Sequence, residues 1–308
     1  MRQTSFLFIA SAVLPAVLFS CQKSKTPQRP PRNISDTLMV YSQVTSNGKS
    51  NILTRSFKSG ETKTIINSGT YPFATNLRIV FIKSGNTLGF AKMDGISRLL
   101  LPLTQPSDPS LSFDSRLICV VDKLPDKYQL IRYDTIGNKT ILYETTDEIS
   151  SPSFSSDGEK IVFTQKKDTN SSSLFLISVT GGTVKRITPS TPGSYDDYST
   201  VQSGNLYFVR SRIIDSTLSS EIFSTDLGGT SITQLSNFTN NWTTPSFFIK
   251  NLRKISNDIV GNTSLICVSN YNSTNSDIYI YQIGGSLTKM TETTEQEFFP
   301  SLIPNVEK

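Results

Sequence analysis

Carboxylates come in pairs along this chain: Asp147 with Glu148, Asp196 with Asp197, and Glu295 close to Glu297. Two carboxyl groups facing each other across a cleft, about 5 to 10 Å apart, can hydrolyse a glycosidic bond. Aromatic residues cluster near the same positions: Tyr71, Tyr195, Tyr198, Trp242, Phe298 and Phe299. Rings beside carboxylates make a surface for carbohydrate or peptide. The same residues also suit quieter work, since acids accept backbone N–H bonds in turns and rings fill cores. Other chemistry is closed off. The chain has no histidine, which removes Ser-His-Asp and Cys-His nucleophiles and every His-ligated metal site. The GxSxG, P-loop, EF-hand and CxxC patterns are absent as well. No catalytic residue, metal or cofactor is expected.

The elements that must position these residues repeat. The stretch "SPSFSSDGEKIVFTQ" (Ser151 to Gln165) holds two short strands around an Asp-Gly turn. Its second strand, "IVFTQ", has counterparts at Met39 to Gln43, Ile79 to Lys83, Leu117 to Val121, Leu206 to Arg210 and Leu265 to Ser269. After each comes an alternating strand ending in Gly, such as "SLFLISVTGG", "EIFSTDLGG" and "DIYIYQIGG". A further strand follows, such as "TVKRIT", "SITQLS" or "SLTKMT". The leading element is a Pro-x-apolar strand at Pro72, Pro109, Pro152, Pro245 and Pro300, with Tyr198 in the proline's place once. Proline suits a strand position that needs no ladder donor.

Four strands recurring every 35 to 55 residues or so predict an all-β, six-bladed β-propeller with four-stranded antiparallel blades. The first repeat starts directly at "LMVYSQ" without a leading strand, and the chain ends with one, Phe299 to Ile303. The C-terminal strand is therefore expected to complete blade one and close the ring, removing open edges. Pro152, Phe154, Ser155, Asp157, Gly158, Ile161 and Phe163 together resemble the repeats of TolB-like propellers. That resemblance implies a protein-binding module of the bacterial envelope.

The N-terminus reads as an address. Arg2 precedes an apolar run from Phe6 to Phe19, too short to span a bilayer, so residues 1–20 are expected to be a signal peptide. "LFSC" (Leu18 to Cys21) is similar to the lipobox of bacterial lipoproteins, which implies acylation at Cys21. Residues 21–36 form a basic, Pro-rich tether, residues 37–303 the propeller, and 304–308 a tail. Five of the 30 basic residues (Arg2, Lys23, Lys25, Arg29 and Arg32) lie in leader and tether, and no acid precedes Asp36. The body is thus neutral, and the formal charge of +5 gives no nucleic-acid footprint.

These features predict a lipid-anchored outer-membrane protein on the periplasmic face, monomeric and non-enzymatic. It would bind an envelope protein, with a glycan-binding or glycan-active propeller as the alternative. One residue from each blade junction is expected at the channel mouth: Tyr71, Asp108, Glu148, Asp197, Trp242 and Glu297. The rival contact is a basic segment, Ile249 to Asn262, with Lys250, Arg253 and Lys254. Cys119 and Cys267 fall at the same point of "LIC" in opposite blades, so they are expected as buried free thiols.

Overall fold

Runs of β-branched and aromatic residues with polar turns between them leave the chain little choice but strands. The computed structural model describes residues 38–303 except 58, 76, 203, 215–216, 239–248, 255–263, 271–274, 286 and 292. Among the described residues there are strands and no helix. In chain order they fall into groups of four. The first combines β1 (Leu38–Val44), β2 (Ser50–Ser56) and β3 (Thr62–Ile66) with the last strand, β24 (Gln296–Ile303), in the order β24-β1-β2-β3. The second runs β4 (Gly69–Ala74), β5 (Arg78–Lys83), β6 (Thr87–Lys92) and β7 (Ser97–Pro102). The third has β8 (Pro106–Leu111), β9 (Leu117–Lys123), β10 (Tyr128–Asp134) and β11 (Lys139–Thr145).

The fourth group is β12 (Glu148–Phe154), β13 (Lys160–Asp168), β14 (Ser171–Ser178) and β15 (Lys185–Arg186). The fifth is β16 (Ser194–Gln202), β17 (Asn205–Ile214), β18 (Thr217–Asp226) and β19 (Thr233–Gln234). One parallel bridge, Ser172 to Tyr195, joins these two into an eight-stranded sheet. The sixth is β20 (Ile249–Lys254), β21 (Ser264–Ser269), β22 (Asp277–Gln282) and β23 (Leu287–Lys289). Apart from that bridge, every pairing is antiparallel.

A sheet buried on both faces needs apolar residues on both, and the second strand of each group supplies them. Val40, Ile52 and Ile66 of the first group pack on Ile79, Phe81 and Ala91 of the second. Similar layers join second to third, third to fourth, fourth to fifth and fifth to sixth. The last layer sets Ile266, Val268 and Ile278 of the sixth group against Met39, Tyr41 and Leu302 of the first.

Two glycines are fixed by these approaches. The turn after β6 holds Gly95 at φ 83°, where a Cβ would sit 2.5 Å from the carbonyl oxygen of Ile65 in the preceding group. Gly229 stands the same way, at 2.2 Å from Ile187 O. The repeated glycine therefore serves the packing of neighbouring groups as well as the hairpin turn.

Two expectations need correcting. The described inner strand of the sixth group is Ile249–Lys254, paired with β21, while the strand expected at Pro245 lies outside the described residues; the basic residues Lys250, Arg253 and Lys254 are thus part of a sheet rather than of a separate contact segment. The two cysteines are buried and free, but they do not occupy the same point. Cys119 aligns with Val162 and faces the fourth group, while Cys267 aligns with Phe163 and faces the fifth. A shift of one residue turns a strand's side chain to the other face.

Candidate functional site: the bulged inner strands

Each inner strand carries an extra residue. Tyr71 and Pro72 together oppose Phe81, Asp108 and Pro109 oppose Val120, and Ser151 and Pro152 oppose Phe163. Tyr198 and Ser199 oppose Phe208, Phe299 and Pro300 oppose Tyr41, and Asn251 and Leu252 oppose Cys267. These are β-bulges, which bend a strand and re-aim its side chains. The first bulge residue is left-handed in five of them: Tyr71 (φ 53°), Asp108 (48°), Ser151 (51°), Tyr198 (51°) and Phe299 (54°). Left-handed backbone costs a non-glycine residue about 1–2 kcal/mol. In four of the five, proline follows and leaves no N–H unpaired in the broken ladder.

The inner strands lie side by side: β24 packs on β4, β4 on β8, β8 on β12, β12 on β16, β16 on β20, and β20 on β24. Their bulge residues consequently meet. The Phe299 and Tyr71 rings are 4.2 Å apart, centroid to centroid. Burial first, then the negative charge of Asp108, raises the Tyr71 phenol above its usual range. Asp108 Oδ2 in turn accepts the Ser151 N–H at 3.3 Å. Phe299, Tyr71, Asp108 and Ser151 thus form a continuous strip across four groups. Further round, Asp197 accepts Thr164 Oγ1 at 2.8 Å and the Tyr198 N–H at 2.7 Å.

Of the residues expected at the mouth, the structure brings Tyr71 and Asp108 together and leaves Asp197 half-buried on the same inner layer. All the described ones sit on strands rather than in the loops before them. Glu148 is exposed at the start of β12, 3.9 Å from Lys166. Glu297 is fully buried. It accepts Thr293 Oγ1 at 3.1 Å, and desolvation holds its carboxyl above the ordinary range, with Asp277 adding to the rise. Trp242 and Cys21 lie outside the described residues. Phe299, expected only among the rim aromatics, and Ser151, not expected at the site, take the places that Glu297 and Glu148 were expected to fill; like Tyr71 and Asp108, each is the residue before proline in its leading strand.

The paired carboxylates do not face a common cleft. Neighbours on a strand point to opposite faces. Asp196 turns inward to a bidentate ion pair with Arg210 (2.6 and 2.8 Å), while Asp197 reaches the preceding group. Asp147 accepts Gln165 Nε2 at 2.6 Å. The thiols of Cys119 and Cys267 are both pushed up by burial, the latter to about 12, so neither is primed as a nucleophile. Among the described residues no cluster of three or more acids and cysteines could hold a metal ion. The inner strip offers rings and engaged carboxylates.

The architecture defines a β-propeller, and comparison with solved structures agrees. TolB from Acinetobacter baumannii superposes with a TM-score of 0.65 at 13% identity, covering 87% of this chain and 67% of that one. An oligogalacturonate lyase in complex with manganese gives 0.55 at 12% identity, over 82% and 73%. The propeller domain of the Trilobed protease from Pyrococcus furiosus, described as having an open velcro topology, gives 0.53 at 11% identity, over 84% and 95%. Identities this low speak for the fold alone. No protein-family model and no curated protein matches the sequence.

Proposed function

We propose that this chain is a lipid-anchored protein of the bacterial envelope that binds a partner protein on a six-bladed propeller, without catalysis. The ring is closed by β24. That reading rests on the inner strands packing in succession back to β24 and on the layer between sixth and first groups. The observation that carries the binding site is the strip of left-handed bulge residues, Phe299, Tyr71, Asp108 and Ser151. Backbone strain repeated at one level of five inner strands is the kind of feature that marks a functional surface. The resemblance of the repeat from Pro152 to Phe163 to TolB-like propellers favours a protein over a small molecule. The anchor is Cys21, so Cys21→Ser should release the protein from membranes; equal fractionation of variant and wild type would refute it.

The binding reading is tested with a photo-crosslinking residue at position 71 and, as a control, at Lys63 on the outer strand of the first group. A protein captured from position 71 is then purified and titrated. Tyr71→Ala should weaken it by tenfold or more, about 1.4 kcal/mol. Crosslinking only from position 63, or unchanged affinity, would sink the site. Binding to a glycan array, lost in Tyr71→Ala, would move the function to carbohydrate.

A further inference from the structure

Four large apolar side chains stand in solvent at one end of the second and third groups: Leu77 (58% exposed), Ile96 (66%), Phe113 (58%) and Ile136 (78%). Leu77 and Phe113 are in the turns after the inner strands β4 and β8. Ile96 and Ile136 are in the turns after β6 and β10, which antiparallel pairing returns to the same end. The two groups are in contact there. A methyl group at Gly137 would come within 3.5 Å of Leu99 on β7, so the turn bearing Ile136 leans on the second group. The matching turns of the fourth group are polar, with Ser156, Asp157, Thr180 and Thr183.

The polar residues around the four tips are arranged unevenly. Asp94, Asp114 and Asp134 turn into their own turns, accepting the N–H groups of Ile96 (2.9 Å), Arg116 (3.1 Å) and Ile136 (3.0 Å). Lys92, Arg116 and Lys139 stand exposed beside them, Arg116 3.6 Å from Asp114. The result is apolar tips flanked by exposed cations, with each acid engaged by its own turn. The chain also enters here: β1 begins at Leu38 on this end, beside the end of β24. Sixteen residues separate Leu38 from Cys21, a reach of at most about 60 Å.

We propose that this end of the second and third groups docks on the lipid bilayer that holds the N-terminal segment, inserting Leu77, Ile96, Phe113 and Ile136 among the headgroups. The inference rests on the anchor reading for its geometry. Anchoring confines the body near the surface, so a weak contact is enough to orient it. Apolar tips with cations beside them match an anionic interface, where rings and aliphatic side chains sit below basic groups. Docked this way, the opposite end, where β17 and β18 project, faces away from the membrane.

The test uses the full chain and vesicles of phosphatidylcholine and phosphatidylglycerol, some with brominated acyl chains that quench tryptophan on contact. Phe113→Trp and Ile213→Trp are compared; both sites are equally exposed and lie at opposite ends. Emission is read as the difference from the parental chain, with vesicles in excess. Loss of the added emission at position 113 and none at 213 is expected. No quenching at 113, or equal quenching at both, overturns the docking face. Flotation of wild type against Cys21→Ser reports the anchor separately: if the two float alike the anchor fails, and the quenching still decides the face.

Discussion

The first three groups of strands and the last three share an inner architecture and part company at the outer edge. In the first half the outer strands β3, β7 and β11 have 5, 6 and 7 residues. In the second half β15, β19 and β23 have 2, 2 and 3. The missing ladder is replaced by a hydroxyl. The Leu174 N–H donates to Thr188 Oγ1 at 2.9 Å, the Ile222 N–H to Ser236 Oγ at 2.8 Å, and the Ile278 N–H to Thr291 Oγ1 at 3.0 Å. Each hydroxyl residue is buried. The residue before each one (Ile187, Leu235 and Met290) returns a backbone N–H to the same strand position. A buried N–H must find a partner, and a side chain can supply what a strand would. The inner strands have no such latitude, because the bulge and the neighbouring inner strands fix them from both sides.

The largest effect should come from breaking the one place where the halves meet in a single sheet. Removing residues 298–308 strips most of β24 from the first group, leaving β1 with an open edge and its apolar layer uncovered. A loss of more than about 5 kcal/mol, outside the usual range for a point change, or outright aggregation, is expected in thermal melts and gel filtration. A truncated chain that melts within a few degrees of the full one would show that β24 is dispensable.

A smaller effect separates the two edges. Thr188→Val, Ser236→Ala and Thr291→Val should each cost about 1–3 kcal/mol by leaving a buried N–H without its acceptor. Thr64→Val on the exposed face of β3 should stay within about 0.5 kcal/mol. Denaturant titration reads both. Equal losses on the two edges would mean the hydroxyls are ornaments of short strands rather than their replacement.

Much of this was legible in the chain. Second strands such as "IVFTQ" announce themselves because both faces are buried, and so do glycine-ended hairpins. The hydroxyl device was written in "RIT", "QLS" and "KMT" too, but a Thr after an apolar residue reads as ordinary strand until the short ladder is seen. Matching "LICVV" to "LICVS" letter by letter shifts the two strands by one residue, and only pairing across the sheet reveals which face a residue takes. Proline marks four of the other bulges, whereas in the sixth inner strand Asn251 and Leu252 take those positions. Left-handed Tyr71 and Phe299 were not foreseeable from residue type, since neither favours that conformation. Asp108 was picked for its charge and proves to hold the next strand's bulge.

The turns after the inner strands sharpen the comparison at a scale of about 1 kcal/mol. In the fourth group Ser155, Asp157 and Gly158 build the turn, with Lys160 N–H on Ser155 Oγ at 2.9 Å. The third group repeats it with Ser112, Asp114 and Ser115, the Leu117 N–H reaching Ser112 Oγ at 2.9 Å. Ser115 takes Gly158's left-handed place at φ 58°, and its buried hydroxyl shares a 2.6 Å hydrogen bond with Thr75. A Cβ at Gly158 meets nothing within 4 Å, so Gly158→Ala should cost about 1 kcal/mol through backbone strain alone. Ser115→Gly relieves that strain but forfeits the bond, and should change the melting point little. A stabilising Gly158→Ala would mean the turn is not left-handed in solution.

The finest test lies on β24 itself, the strand that serves both halves. Glu297 has no exposed surface, and desolvation raises its carboxyl above the ordinary range, against the pull of hydrogen bonds from Thr291 and Thr293. In the unfolded chain the same group ionises at about pH 4.3. Between that value and its raised folded value the unfolded state binds fewer protons than the folded one. Stability therefore falls as pH rises through this window, and below it the penalty is absent. Glu297→Gln removes the charge and keeps an oxygen for Thr293. The variant should melt above wild type near pH 8, and the gap should close as the pH drops below about 4. A gap of constant size across that range would mean Glu297 ionises in the fold as freely as in water, and that its burial against the sixth group imposes no penalty on closing the first.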